Sequence, residues 1–162
     1  KSPRADITTR PEGFTGQLDF QAELGTKIAG LETRLASDPG NLAILIDLGN
    51  AYYDLAEPKR SVEYYEKALS IKPDNPPVLV DCGSMYRELR RPQKAIELFN
   101  KAIEVDPNFP QAYFNLGTVL RMEMEDVKGA ARAWKKYLQL EPNVDPQIKN
   151  LLLVEIEAAS GS

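Results

Sequence analysis

The chain contains no histidine and a single cysteine, Cys82, among its 162 residues. Without imidazole there is no histidine general acid or base, and nearly all zinc chemistry is excluded with it. One cysteine cannot close an internal disulfide, so cysteine usage fits either redox compartment. No apolar run approaches the ~18 residues that a membrane-spanning helix needs, which excludes direct membrane insertion of this segment. A phosphate-binding loop, a Gly-rich dinucleotide turn and metal-ligand spacings of Cys or His are all missing. No catalysis, cofactor or metal is therefore expected. Basic excess is missing too: the net charge is −4, whereas a general nucleic-acid binder presents a basic face.

The sequence does contain a repeat. Three segments, starting at Leu42, Pro76 and Pro110, align with one another. Gly49, Gly83 and Gly117 recur at one constant interval, as do Leu45, Leu79 and Tyr113, and also Leu48, Cys82 and Leu116. Tyr52 and Tyr86 match, with Leu120 in the third copy. Ser61 and Ala95 match, and Ala130 follows after one added residue; Tyr65, Phe99 and Trp134 obey the same rule, as do Pro73, Pro107 and Pro142. Each copy reads as two helical runs of about 14 residues broken by a short turn. Pro58 and Pro92 sit where a helix starts, a position at which the missing N–H costs nothing. The glycines allow helix backbones to approach closely, and Tyr65, Phe99 and Trp134 fill the remaining space.

Leu-Gly, Tyr, Ala, an aromatic and Pro at these offsets resemble the tetratricopeptide repeat family, over residues 38–142. The third copy ("AARAWKKYLQLEP") resembles bacterial assembly-factor sequences. The family resemblance implies an all-α fold, a right-handed α-solenoid of antiparallel helix pairs. The expected boundaries are a disordered tail or linker over 1–16 and a repeat domain over 17–159. Within it lie an N-terminal half-repeat helix (17–37), repeats at 42–75, 76–109 and 110–143, and a capping helix (144–159). Pro39, one repeat period before Pro73, marks the first helix as the second half of an earlier, partial repeat. The added residue in "MEMEDVKG" predicts a longer loop there or a helix extended by part of a turn. Tyr137 stands where a small core residue is expected, so the final helix has to house its ring. The terminal "SGS" reads as disordered.

In the family, the first helix of each repeat lines a concave groove. Carried over by position, the resemblance implies a peptide-binding groove formed by Ile46, Asp47, Asn50 and Tyr53 in copy one. Copy two contributes Val80, Asp81, Ser84 and Arg87, and copy three Phe114, Asn115, Thr118 and Arg121. Ile46, Val80 and Phe114 form an apolar row that packing alone does not demand. Asp47, Asp81 and Asn115 run beside it. A protein or peptide ligand is the expected partner, held through Asn amides and apolar pockets. Some co-chaperone repeats clamp a C-terminal carboxylate with Lys and Arg. The matching sites here, Ile46, Asn50, Asp81, Gln111 and Asn115, retain only the Asn50 feature, which predicts no tight binding of acidic chaperone tails.

The acid pairs Glu123/Glu125 and Glu155/Glu157 do not share a helix face and are expected to be solvated. Leu153 and Val154 fall off the stripe of the last helix. They predict deeper packing into the solenoid, a homodimer contact or a partner contact. The chain starts at Lys1 rather than Met, which reads as a processed or truncated product. The expected function is a non-catalytic interaction scaffold or, as the alternative, a regulatory or targeting domain of a longer, membrane-tethered bacterial protein. The segment itself is expected to be soluble, in cytoplasm or periplasm. Cys82 next to Gly83 could be a nucleophile or an apolar plug. The register gives it the site of Leu48 and Leu116, which makes it a plug.

Overall fold

The computed structural model describes residues 12–161, and among them every regular element is an α-helix. α1 spans Glu12–Ser37, α2 Leu42–Asp54, α3 Pro58–Ile71 and α4 Pro76–Glu88. α5 spans Pro92–Val105, α6 Pro110–Met122, α7 Val127–Leu140 and α8 Pro146–Ser160. Consecutive helices pack against each other all along the chain. α4 and α6 also meet directly, with no comparable contact between successive second helices α3, α5 and α7. The helix pairs stack as an α-solenoid in which the first helices approach each other most closely between α4 and α6.

Local chemistry sets the helix ends. Pro occupies the first turn of α3, α4, α5, α6 and α8. Side chains cap several starts: the Oδ1 of Asn41 accepts from the Ile44 N–H at 3.1 Å, that of Asp126 from the Gly129 N–H at 2.8 Å, and that of Asp145 from the Gln147 N–H at 2.9 Å. After each first helix the chain reverses through a residue with left-handed backbone. These residues are Ala56 (φ 55°), Arg90 (φ 59°) and Glu125 (φ 57°). In the first two copies the turn closes identically, with Glu57 N–H to Tyr52 C=O and Arg91 N–H to Tyr86 C=O, both at 2.9 Å. In the third, the Asp126 N–H reaches the Leu120 carbonyl one residue further back, at 2.9 Å. α6 keeps the 13 residues of α2 and α4, so the added residue lengthens the loop and leaves the helix unchanged.

The packing bears out the glycine argument. A Cβ on Gly49 would lie 2.4 Å from the Tyr65 ring, one on Gly83 2.6 Å from the Phe99 ring, and one on Gly117 2.5 Å from the Trp134 ring. Each repeat is thus closed by a ring of its second helix lying on a glycine of its first. Tyr65 and Phe99 are at most 1% exposed, and burying each such ring stabilises by about 2–3 kcal/mol. Ser61, the buried polar residue of this framework, donates its hydroxyl to the Gly49 carbonyl at 2.9 Å. Cys82 is fully buried, and burial pushes its thiol up to about 12, which makes it the apolar plug that the register predicts.

The terminal elements differ in detail from the expected boundaries. α1 begins at Glu12, ahead of its apolar stripe and of the expected start at 17; residues 1–11, most of the expected tail, lie outside the described residues. Its C-terminal half packs on α2 through Leu24, Ile28 and Leu31. Tyr52 donates to Glu32 at 2.9 Å, and one repeat later Tyr86 donates to Glu66. Glu32 in α1 therefore plays the part that Glu66 plays in α3, which fits α1 as the second half of a partial repeat. At the other end, Ser160 is the last residue of α8 rather than the start of a loose tail, and its hydroxyl donates to the Ile156 carbonyl at 3.0 Å. Tyr137 is housed among Trp134, Leu152 and Ile156, its ring 5.1 Å from that of Phe114.

Candidate functional site

The twelve groove residues lie on α2, α4 and α6, but they do not form one uniform strip. The apolar row breaks up. Val80 is only 4% exposed and belongs to the main core, and Ile46 is half-buried against the same core. Phe114 is half-buried and tilted against Tyr137. Val80 is thus required by packing, contrary to the sequence expectation, whereas Ile46 and Phe114 keep part of their surface open. The curvature of the stack turns this face toward the neighbouring first helix, an effect that a single-helix periodicity does not contain.

Two clefts replace the strip. The first, about 390 Å³, lies between α2 and α4 and is lined by Asn50, Tyr53, Asp54, Tyr65 and Asp81. Asn50 is exposed, and its Oδ1 accepts from the Tyr65 hydroxyl at 2.8 Å, which leaves its amide N–H groups available. Asp81 is half-buried, and desolvation raises its carboxyl to about 6. The Tyr53 hydroxyl is raised as well, first by burial and then by the nearby charges of Asp81, Glu88 and Asp54. Asp47 stays exposed on the same helix.

The second cleft, about 370 Å³, lies between α6, α7 and α8 and is almost wholly apolar. Phe114, Thr118 and Arg121 come from the expected set. Met122, Trp134, Ile148, Leu151, Leu152 and Glu155 complete it. Met122 and Leu151 are 67% and 63% exposed. The α8 residues escape the sequence reading because a capping helix is not expected to line a groove. The match of Pro146 to Pro110 as a helix-starting proline is the signal that could have found them.

Between the clefts the polar residues are engaged with one another. The Ser84 hydroxyl donates to the Val80 carbonyl at 3.0 Å and receives a long 3.5 Å contact from the Asn115 amide. Thr118 donates to the Phe114 carbonyl at 2.9 Å. Arg87 of α4 pairs with Glu123 at the end of α6, and Arg121 of α6 pairs with Glu155 of α8 at 2.6 Å. Glu123 and Glu155 are therefore not the solvated residues expected from their spacing. Their side chains are 18% and 30% exposed, and each bridges successive first helices. The position of Arg87 and Arg121 in the repeat is held by Tyr53 in α2. No Lys or Arg lies within ion-pair distance of Asp54, Asp81 or Glu88 among the described residues.

On the far side of α8, Leu153 and Val154 are 41% and 64% exposed, so within one chain they do not pack deeper into the solenoid. No helix among the described residues is long and apolar enough to cross a membrane, and no group of three or more metal-ligating side chains occurs among them.

Comparison with known proteins places this architecture. A tetratricopeptide repeat model matches residues 42–75, and a TPR repeat model matches residues 83–123. No curated protein sequence matches the chain. Among solved structures, MamA superposes with a TM-score of 0.76 at 23% identity, covering 97% of this chain and 84% of that one. The first TPR of Spaghetti (RPAP3), bound to the HSP90 peptide SRMEEVD, superposes with a TM-score of 0.66 at 24% identity, covering 74% and 93%. The Sgt2 TPR domain from Aspergillus fumigatus is 30% identical, with a TM-score of 0.63, and the alignment covers 74% of this chain and 76% of that domain. With its glycine-on-ring repeats and its stack of helix pairs, the chain belongs to the tetratricopeptide repeat family.

Proposed function

We propose that the protein is a non-catalytic scaffold that binds a peptide segment or helix of another protein along the inner face of α2, α4, α6 and α8. The observation that carries this reading is the pair of clefts, one polar and one apolar, both lined by groove positions of the first helices. An extended chain or one helix face can engage both, through side chains in the clefts and main-chain hydrogen bonds to groups such as the Asn50 amide. Affinity of a single segment is expected to be micromolar, about −8 kcal/mol.

The RPAP3 domain holds a peptide rich in carboxylates, but the same ligand is not expected here. The sites implied by the family clamp carry Ile46, Asn50, Asp81, Gln111 and Asn115 and provide no cation. Asp81 would repel a terminal carboxylate. Isothermal titration with SRMEEVD is expected to give no measurable heat of binding, and micromolar affinity would refute this part of the reading.

Site-specific photo-crosslinking tests the groove itself. A crosslinker at Tyr53 or Met122 on the inner face should trap a discrete partner in the cells that make the protein. The same group at Glu97 or Lys135, exposed on second helices, should not. Equal trapping from both faces would sink the groove reading.

A further inference from the structure

The repeat relation makes the two ends of the groove unequal. In α4 and α6, an Arg at the same repeat position bridges to a Glu of the next first helix. α2 breaks this ladder by placing Tyr53 there, while Asp81 and Glu88 of α4 and Asp54 of α2 remain without a cation among the described residues. The junction omits the base, Leu89 stands at the repeat position of Glu123, and its three acids come from other positions of the repeat. At the other end, past the last Arg–Glu pair, the α6–α8 cleft offers almost only apolar surface, with Met122 and Leu151 open to solvent.

We propose that the groove selects a two-ended partner segment, with a Lys or Arg side chain seated between α2 and α4 and a bulky aliphatic or aromatic side chain seated between α6 and α8. This rests on the groove reading above and adds to it the chemistry of the ligand. Charge complementarity fixes the first anchor: a guanidinium or ammonium from the partner occupies the place that Arg87 and Arg121 fill at the other junctions. The Tyr53 ring beside it offers a face for cation–π contact. Asp81 gains most, because it is half-buried without a counter-charge and its carboxyl is raised to about 6. A neutral or acidic side chain would leave that site uncompensated. The second anchor is hydrophobic, since the α6–α8 cleft buries apolar area without offering unsatisfied polar groups.

Spacing follows from the helix stack. The clefts are two first-helix spacings apart, about 20 Å at 8–10 Å per spacing. About six residues of extended chain, or about 13 residues of helix, separate the anchors.

The test uses the full chain and a display library of random peptides of about 15 residues, long enough for either spacing. Selected sequences are expected to contain Lys or Arg at one of these spacings from Leu, Ile, Met, Phe or Trp. The strongest is then synthesised with its Arg as citrulline, or its Lys as acetyl-lysine, a neutral near-isostere. Neutralisation should weaken binding to the unsubstituted protein about fivefold or more, and should change binding to Asp81→Asn little. Leu151→Gln, at an exposed position, should weaken both peptides alike. Selected peptides that bind in the groove but show no cation, or a terminal carboxylate instead, overturn this proposal and leave the groove reading standing. A cation without an apolar partner residue overturns its two-ended form. Selected peptides whose binding ignores Asp81→Asn, Tyr53→Ala and Leu151→Gln together sink the groove reading itself.

Discussion

The α2–α4 junction and the α6–α8 junction are built at corresponding positions of one repeat, yet their chemistry is opposed. At α6–α8 an ion pair ties the first helices together and the remaining surface is apolar. At α2–α4 no ion pair occurs among the described residues, a tyrosine stands in the arginine position, and three acids share the space. Beneath both lies the same framework of a ring packed on a glycine. A repeat protein can thus keep one folding solution and vary only the positions that the solution does not use.

The framework is where the largest effects are expected. In Gly83→Ala the new methyl would stand 2.6 Å from a Phe99 ring that has no room to withdraw. The helix-propensity gain of about 1 kcal/mol is outweighed by overpacking, and a net loss of about 2 kcal/mol is expected in urea denaturation. Gly49→Ala and Gly117→Ala, set against Tyr65 and Trp134, should cost a similar amount. Unchanged midpoints in all three would show that the shared framework does not carry the stability assigned to it.

Asp81→Asn probes the difference between the junctions, and it should stabilise. A free carboxyl titrates near 4, whereas Asp81 is raised to about 6 by burial. Between those values the folded chain binds more proton than the unfolded chain, so stability falls as pH rises through this window, and the penalty is complete above it. Removing the charge should therefore gain about 1–2 kcal/mol at pH 7, allowing for partial access to water, and almost nothing at pH 4. Arg121→Gln, which breaks the pair with Glu155, should instead lose up to about 1 kcal/mol. Thermal melts of both variants at the two pH values check the opposite signs. A destabilised Asp81→Asn at neutral pH would mean that the acid has a partner within the fold.

How much of this is legible in the sequence depends on what each residue answers to. The glycines, the rings and Cys82 answer to their own repeat, and the constant register between copies reveals their roles directly. The register also recovers Asn50, Tyr53 and Asp81 as neighbours, because all three are groove positions on adjacent first helices. It misplaces Val80, whose burial depends on how closely the first helices approach. Glu123 and Glu155 read as solvated because their partners, Arg87 and Arg121, stand on the preceding first helix. Spacing within one helix says nothing about such partners.

The turns give a smaller effect that should be alike in every copy. Arg90 adopts φ 59°, where a Cβ is strained and glycine is not. Arg90→Gly is expected to stabilise by about 0.5–1 kcal/mol after the entropy cost of glycine in the unfolded chain. Ala56→Gly and Glu125→Gly should gain similarly, although the third turn is one residue longer. A loss at Glu125 alone, measured by the same denaturation, would show that the longer loop holds its backbone for another reason.

The smallest expected change bears most directly on the contrast between the junctions. Tyr53→Arg installs at α2–α4 the residue that α4 and α6 already carry. Tyr53 is 38% exposed, so losing its ring costs little, and the new guanidinium would face Asp54, Asp81 and Glu88. A gain of about 0.5 kcal/mol is expected at low salt and should fade at high salt as the charges are screened. The same substitution should weaken any cationic ligand of that cleft, because the arginine would occupy its place. If stability does not respond to salt and cation binding persists, the ladder of arginines is incidental, and the two junctions differ in shape rather than in charge.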